Sequence, residues 1–386
     1  MNQEMLSYRA KLFEDAIRFR KPERVPHVSN FFLWFLSDYG IPVTKGCRDH
    51  QLLQEMYRAE LEKSPFDSSC SVYILGSMTP KIIDPIGQGL YYYNDETGDV
   101  SLKDLELLKG SELKDLMENP SKATFETMLP RKFANWKDLT IGDLAKSLEE
   151  YANFMQAFVQ TGELMYNEFN MPKDMAFFPL GLGMEDMFYT YLGMKETSIA
   201  MRRHPEELKA AVDALEAGLD AQLSMLKKEN RPEGYYMFDT LIGLVGHNYV
   251  NRKQWEKFYW PTLKKILDKI VEEDLTIKFN QEGSVLLYSD YLKDYEKGHI
   301  GIWLDVDDPY DIREALPNVC IMGGMTSDLL SRGTPEQCVS KAKQLIDDLG
   351  TEGGFILTQD KMMTYKRDCK AENLKAVCEF AQSYML

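Results

Sequence analysis

The feature that most constrains this chain is a repeated beat: a short apolar run, an abrupt polar end, then a helical stretch. It is plainest in LTIKFNQEGSVLLYSDYLKDYEKGHIGIWLDVDD, residues 275–308. Leu275, Ile277 and Phe279 alternate with the period of a strand, and Asn280, Gln281, Glu282 and Gly283 end it. The run from Ile300 to Leu304 ends in the same way, in Asp305, Asp307 and Asp308. Runs of this kind begin near residues 25, 71, 175, 235, 275, 301, 319 and 354. Continuous apolar strands separated by helices argue for a parallel sheet covered on both faces. Eight such units predict closure into a (β/α)8 barrel of the TIM type, in the α/β class, whose post-strand loops share one mouth. An open doubly wound sheet is the competing architecture, but no GxGxxG or phosphate-loop pattern supports its nucleotide-binding form.

Individual segments fit this frame. Residues 4–19 form an amphipathic N-terminal helix containing acids, which is not the pattern of a signal peptide, and Pro22 and Pro26 end it. HVSNFFLWF is the first strand candidate, SCSVYILG (69–76) the second and MAFFPLGLGM (175–184) the next. QGLYYYN followed by ETGD predicts a β-hairpin, and 141–168 a long helix. Helices are expected over 185–203 and 205–229, and Thr334 and Gly350 should bound a late one. The whole chain, 1–386, is read as a single barrel domain in which 77–150 is an insertion covering one end.

Charge narrows the partners. A net charge of −16 opposes binding to nucleic acid or to an anionic membrane surface. No stretch has the ~18 apolar residues of a spanning helix. The six cysteines are scattered without a CxxC pair, so they read as reduced thiols in the cytoplasm, with Cys320 in the core.

If the barrel closes, its mouth gathers His27, Asn30, Gly76, Gly181, Gly183, Asp239, His247, Asn280, Glu282, Asp305, Asp307, Thr326, Gln359, Asp360 and Lys361. Imidazoles and carboxylates suit a zinc ion with an open position, for which Glu282, His27, His247 and Asp360 are the candidate ligands. The same acids suit proton transfer without a metal, with Glu282, Asp239, Asn280 and Asp360 as the catalytic set. Each taken singly also has a structural reading: a loop cap for Glu282, a loop hydrogen bond for Asp239, a core residue for His27. Phe31, Trp34, Met184, Tyr189 and Met362 are candidates to line a flat apolar substrate pocket, though Met and aromatics also build ordinary cores.

Several pieces resemble the uroporphyrinogen decarboxylase superfamily, which includes methyltransferases that serve corrinoid proteins. They are AIRFRKPERVP, MFDTLIG followed by FYWPTLKKI, FNQEG, PNVCIMGGMTSDLLSRGTPEQCVSKAKQLI, GGFILTQDKMM and ENLKAV, spread over 1–30 and 170–386. The resemblance implies a β/α barrel. The decarboxylase branch uses arginines after the first strand and a Gly-His element after the last; here those places hold HVSNFFLWFLSDYG and TQDKMM. The zinc-dependent methyltransferases carry His-x-Cys where this chain has Asn280 and Glu282, and a last Cys near Asp360 or Lys361. Hard oxygens therefore replace soft thiolates. The reading that follows from the resemblance is a methyltransferase moving a methyl group from a small methylated donor, aryl methyl ethers among the candidates, to the cobalt of a corrinoid protein. Asn280 would orient the donor. A homodimer is also expected from the superfamily. The alternatives are a decarboxylase of a small carboxylic acid and a non-catalytic binding protein on the same barrel.

Overall fold

The computed structural model has eight short parallel strands among its described residues; of the expected strand SCSVYILG only Ser69 is described, and the rest of it, with Gly76, lies outside the described residues. The eight are β1 (Val28–Ser29), β2 (Ser68–Ser69), β3 (Lys173–Met175), β4 (Tyr236–Phe238 continuing as Thr240–Leu244), β5 (Ile277–Gln281), β6 (Ile300–Trp303), β7 (Cys320–Met325) and β8 (Phe355–Gln359). All residues are described except 1, 31, 70–80, 83, 87–90, 95, 97, 98, 103, 105 and 134.

The strands close in chain order. Parallel ladders join β4 to β5, β5 to β6, β6 to β7 and β7 to β8. His27 bridges to Leu357, which brings β8 back to β1, and β1 pairs with β2. β3 pairs with β4 through Lys173↔Tyr236 and Met175↔Phe238, and Leu180 bridges to Ile242 higher up. Between β2 and β3, the Ser68 hydroxyl donates to Pro172 O at 2.9 Å. The chain is a (β/α)8 barrel.

Strand alternation sorts the residues into two cores. Val28, Phe238, Trp303, Cys320, Met322 and Ile356 fill the barrel, and Phe13, Ala16 and Ile17 of the helix Gln3–Ile17 close its base. Ile277, Phe279, Ile302, Ile321 and Leu357 face outward onto helices, meeting residues such as Leu263, Ile266, Leu345 and Leu374. Lys278 lies inside the barrel, where it pairs with Asp174 of β3. A buried lysine without such a partner would be costly.

Two strand expectations need correction. HVSNFFLWF is strand only at Val28–Ser29, and Trp34–Asp38 is helical. MAFFPLGLGM is not one strand: β3 ends at Met175, only Leu180 bridges further on, and Gly183 opens a helix. Pro179 has no N–H to give a ladder. The hairpin forms, with Tyr91–Asn94 antiparallel to Asp99–Leu102. The long helix spans Ile141–Asn167 behind a Thr140/Asp143 capping box, and Thr334 and Gly350 cap the helix Pro335–Leu349. Among the described residues no helix is long and apolar enough to cross a membrane.

Candidate active site at the barrel mouth

At the C-terminal ends of the strands, carboxylates brace the rim. Each reaches across from its own loop to backbone N–H groups of another. Asp305, after β6, accepts from Gly283 N at 2.7 Å, after β5. Asp307 accepts from the Ser284 hydroxyl at 2.5 Å and from Val285 N at 2.8 Å. Asp360, after β8, accepts from Ser327 N and from its hydroxyl at 2.6 Å, at the start of the helix after β7. Gly283 sits at φ +78°, and a Cβ there would stand 2.2 Å from Asn248 Oδ1, so only glycine lets the two loops meet.

Glu185 is the most constrained of these acids, and the sequence reading did not single it out. It follows Gly181 and Gly183 in the loop after β3. Its Oε1 accepts Val245 N and Gly246 N, both at 3.1 Å, and the Tyr259 hydroxyl at 2.9 Å. Burial pushes its pKa up to about 7; the bonds from Gly246, Tyr259 and Val245 oppose that rise, and the Glu282 charge adds to it. The visible signal was an acid directly after a glycine-rich strand end, at the first turn of a helix.

Glu282 has an exposed side chain at the rim. Its backbone is held, since Glu282 N donates to Leu244 O and its carbonyl accepts from Asn248 Nδ2 at 2.5 Å. The surrounding protein, and then the Asp305 charge, raise its pKa. Asp360 is also raised, first by burial, with Asp305 contributing. Glu282, Glu185 and Asp360 are thus electrostatically linked: the Glu282 charge raises Glu185, and the Asp305 charge raises both Glu282 and Asp360.

Beneath these carboxyls the barrel is open. Gly243 pairs with Asn280 and faces the lumen beside it, and a Cβ on Gly243 or Gly181 would meet nothing within 4 Å. Asn280 Oδ1 is buried without a hydrogen-bond partner. Trp303, paired with Asn280 on the other side, donates Nε1–H to Gln359 O at 2.7 Å and forms part of the floor. Tyr189 stands within the field of Glu185, Glu282 and Tyr249, and burial raises its pKa.

Several residues expected at the mouth lie elsewhere. Asp239 sits near the base of β4, in a bulge where Asp239 N and Thr240 N both donate to Thr276 O at 3.2 Å. Its carboxylate accepts Arg231 Nε at 2.6 Å and Thr276 N at 2.8 Å. The strand continues past it as TLIGL, so the acid is not at the strand end. His27 is opposite in parity to the lumen residue Val28 and packs on Phe66 at a ring distance of 5.1 Å. Burial lowers its pKa to about 4, and neither ring nitrogen has a hydrogen-bond partner. His247 does follow β4 at the mouth end, but it is buried against Tyr288, and burial likewise lowers its pKa to about 4.

Of the expected pocket lining, Trp34 is 1% exposed and donates Nε1–H to Cys369 O, and Met184 is fully buried, so both are core. Tyr189 is at the mouth, and half-buried Met362 packs against both cores. Phe31 lies outside the described residues. Among the described residues no three His, Cys, Asp or Glu side chains stand close enough to hold a metal ion. The set Glu282, His27, His247 and Asp360 does not assemble, because His27 faces away from the lumen.

Comparison with known proteins agrees with this architecture. The structure is similar to that of a methyltransferase from Methanosarcina mazei, with a TM-score of 0.58 and 12% identity over 97% of this chain and 98% of that one. At that identity the likeness is one of fold. No curated protein matches the sequence. The sequence pattern of uroporphyrinogen decarboxylase (URO-D) matches residues 187–384, more than half of the chain and the part that holds β4 to β8. This chain is a member of the uroporphyrinogen decarboxylase family.

Proposed function

We propose that this protein is a methyltransferase that takes a methyl group from a small methylated donor, an aryl methyl ether in the first instance, for delivery to a corrinoid protein. The observation that carries the reading is the row of carboxyls with raised proton affinity over an open lumen, above all Glu185 near 7 beside the unbonded Glu282 side chain. An ether oxygen leaves poorly as an anion, and a carboxyl still protonated near neutral pH can give it a proton in the transition state. The family membership and the fold shared with a methyltransferase support the reading.

The corrinoid, carried by a partner, would supply reduced cobalt, whose electron pair takes the methyl carbon. The work of this chain is at the other end of the bond. Glu282 donates its proton to the ether oxygen as the C–O electron pair moves onto that oxygen, leaving a neutral phenol and a Glu282 carboxylate. Burial, and then the Asp305 charge, raise the proton affinity of Glu282 beforehand. Asn280, with its unpartnered oxygen, orients the donor beside Gly243. The candidate zinc ligands do not come together, so no step is routed through zinc. Exposed Tyr249, Leu287 and Val306, on the loops after β4, β5 and β6, give the rim an apolar surface for the corrinoid protein.

The test is release of phenol from an aryl methyl ether by the purified chain with a reduced corrinoid protein. Phenol formed in proportion to corrinoid supports the proposal. Carbon dioxide released from a small carboxylic acid without corrinoid would instead establish the decarboxylase, and tight ligand binding without turnover would establish a binding protein.

A further inference from the structure

At the base of the barrel, the end opposite Glu282, a cavity of about 630 Å³ opens between the helix Gln3–Ile17 and the starts of β4 and β5. Ordinary small-molecule sites run to about 300–1,000 Å³. Its charge is unlike that of the rest of the chain. Arg18, Arg20, Lys228 and Arg231 line it against Glu14, Asp239 and Asp274, which leaves the lining net positive in a chain that carries −16. Most of these charges are spent on one another. Arg18 and Lys228 both pair with Asp274, and Arg20 pairs with Glu14 and Asp15. Arg231 is held but not spent. Its Nε donates to Asp239 Oδ1 at 2.6 Å, and its guanidinium lies over the Tyr236 ring, 5.0 Å from the centroid. The Tyr236 hydroxyl donates to Glu233 O at 3.2 Å, which fixes that ring in turn. The two terminal nitrogens of Arg231 make no hydrogen bond to any described residue, and Arg20 has one more such nitrogen in Nη1.

We infer that this cavity is a second binding site, for a small organic molecule with one oxyanion group, a phosphate monoester or a carboxylate, received by the terminal N–H groups of Arg231. A guanidinium offers two N–H groups side by side, which match the spacing of such an oxyanion. One already locked by a carboxylate and a ring loses little freedom on binding. The body of the ligand meets an apolar wall, because half-buried Tyr235 and Tyr236 line the same cavity with Ala10 and Ile17. Ring surfaces of this kind favour a flat organic body over a bare ion. The acids limit the charge that can enter. Glu14 and Asp274 stand among the cations, so a polyphosphate would bring more negative charge than the lining can neutralise. Gly234 keeps the lip low: it sits at φ +140°, and a Cβ there would stand 3.1 Å from the Tyr236 hydroxyl.

This site stands apart from the barrel mouth and does not depend on the methyl-transfer reading, since binding is read without turnover. The test is calorimetric titration of the full chain with phenyl phosphate, benzoate, inorganic phosphate and tripolyphosphate. Saturable binding of phenyl phosphate identifies a phosphate ester as the ligand class, and saturable binding of benzoate a carboxylate; inorganic phosphate and tripolyphosphate should bind more weakly than the ring compound that saturates. Two variants place the site. Arg231→Lys keeps a charge beside Asp239 but loses the paired N–H groups, and should weaken binding about 10–100-fold. Ala10→Trp fills the cavity without touching a charge, and should abolish binding at unchanged circular dichroism. The inference is overturned if neither ring compound saturates, or if inorganic phosphate or tripolyphosphate binds as tightly as the ring compounds do. It is overturned equally if either folded variant binds as the wild type does.

Discussion

The Tyr259 hydroxyl donates to Glu185 Oε1 at 2.9 Å, so a phenol at the junction of two helices behind the barrel wall sets the state of an acid at its mouth. This bond lowers the Glu185 pKa against burial, and the net value is about 7. Glu185 therefore loses its proton as pH rises through neutrality. The Glu282 charge is one of the causes that raise Glu185, so the two groups titrate as a linked pair. Turnover, which needs a protonated Glu282, should fall on the alkaline side. Tyr259→Phe removes a bond that favours the Glu185 carboxylate, so Glu185 stays neutral to higher pH, its field on Glu282 weakens, and the alkaline fall in kcat/KM should move to lower pH. A pH profile of the variant checks this; an unmoved or raised limb would contradict it.

Gly243 should act as the open floor of the pocket. It lies in a strand with nothing within 4 Å of an added Cβ. Gly243→Val fits the strand and occupies the space beside Asn280. We expect kcat/KM to fall about 10–100-fold, the cost of displacing a substrate from reactive geometry, with no loss in thermal midpoint. Unchanged kinetics would place the substrate elsewhere.

Asp239 should matter for stability and not for chemistry. Its bonds to Arg231 and Thr276 close the base of the barrel. Asp239→Ala should cost about 2–4 kcal/mol in denaturant unfolding, from lost charged hydrogen bonds and an unpaired Thr276 N–H. Per folded molecule, turnover should be unchanged, and a large drop would restore Asp239 to the active site.

Asp67 and Arg24 form a buried bidentate pair, with both N–H···O distances at 2.6 Å, and Asp67 Oδ2 also accepts His27 N at 2.9 Å. Burial works to raise the Asp67 pKa, but Arg24, Arg9 and the His27 N–H outweigh it and hold it below 3.8. The folded pKa lies below the unfolded one. The stabilisation is thus present above about pH 4 and is lost as pH falls through the folded value. Asp67→Asn should destabilise by about 3–5 kcal/mol at neutral pH by leaving Arg24 unpaired, and should flatten the acid limb of stability against pH. Calorimetry across pH reads both effects.

The barrel was readable in the runs near 235, 275, 301, 319 and 354, because apolar runs with polar ends are a strong periodic signal that tertiary packing reinforces. The sequence also placed Glu282 and Asp360 at the rim, since each directly follows an uninterrupted strand. Asp239 was misplaced because a bulge lets β4 run on past it, and no local pattern in MFDTLIG distinguishes a bulge from a strand end. His27 was misplaced by parity: one residue along a strand turns a side chain from lumen to wall. Glu185 was missed because its meaning comes from Val245, Gly246 and Tyr259, which are more than fifty residues away.

The most direct test of the central claim is phenol release from an aryl methyl ether with reduced corrinoid protein, comparing wild type with Glu282→Gln. The wild type should turn over and the variant should lose about 10²–10⁴-fold in rate while remaining folded, because an amide cannot supply the proton. Equal turnover by Glu282→Gln would contradict it.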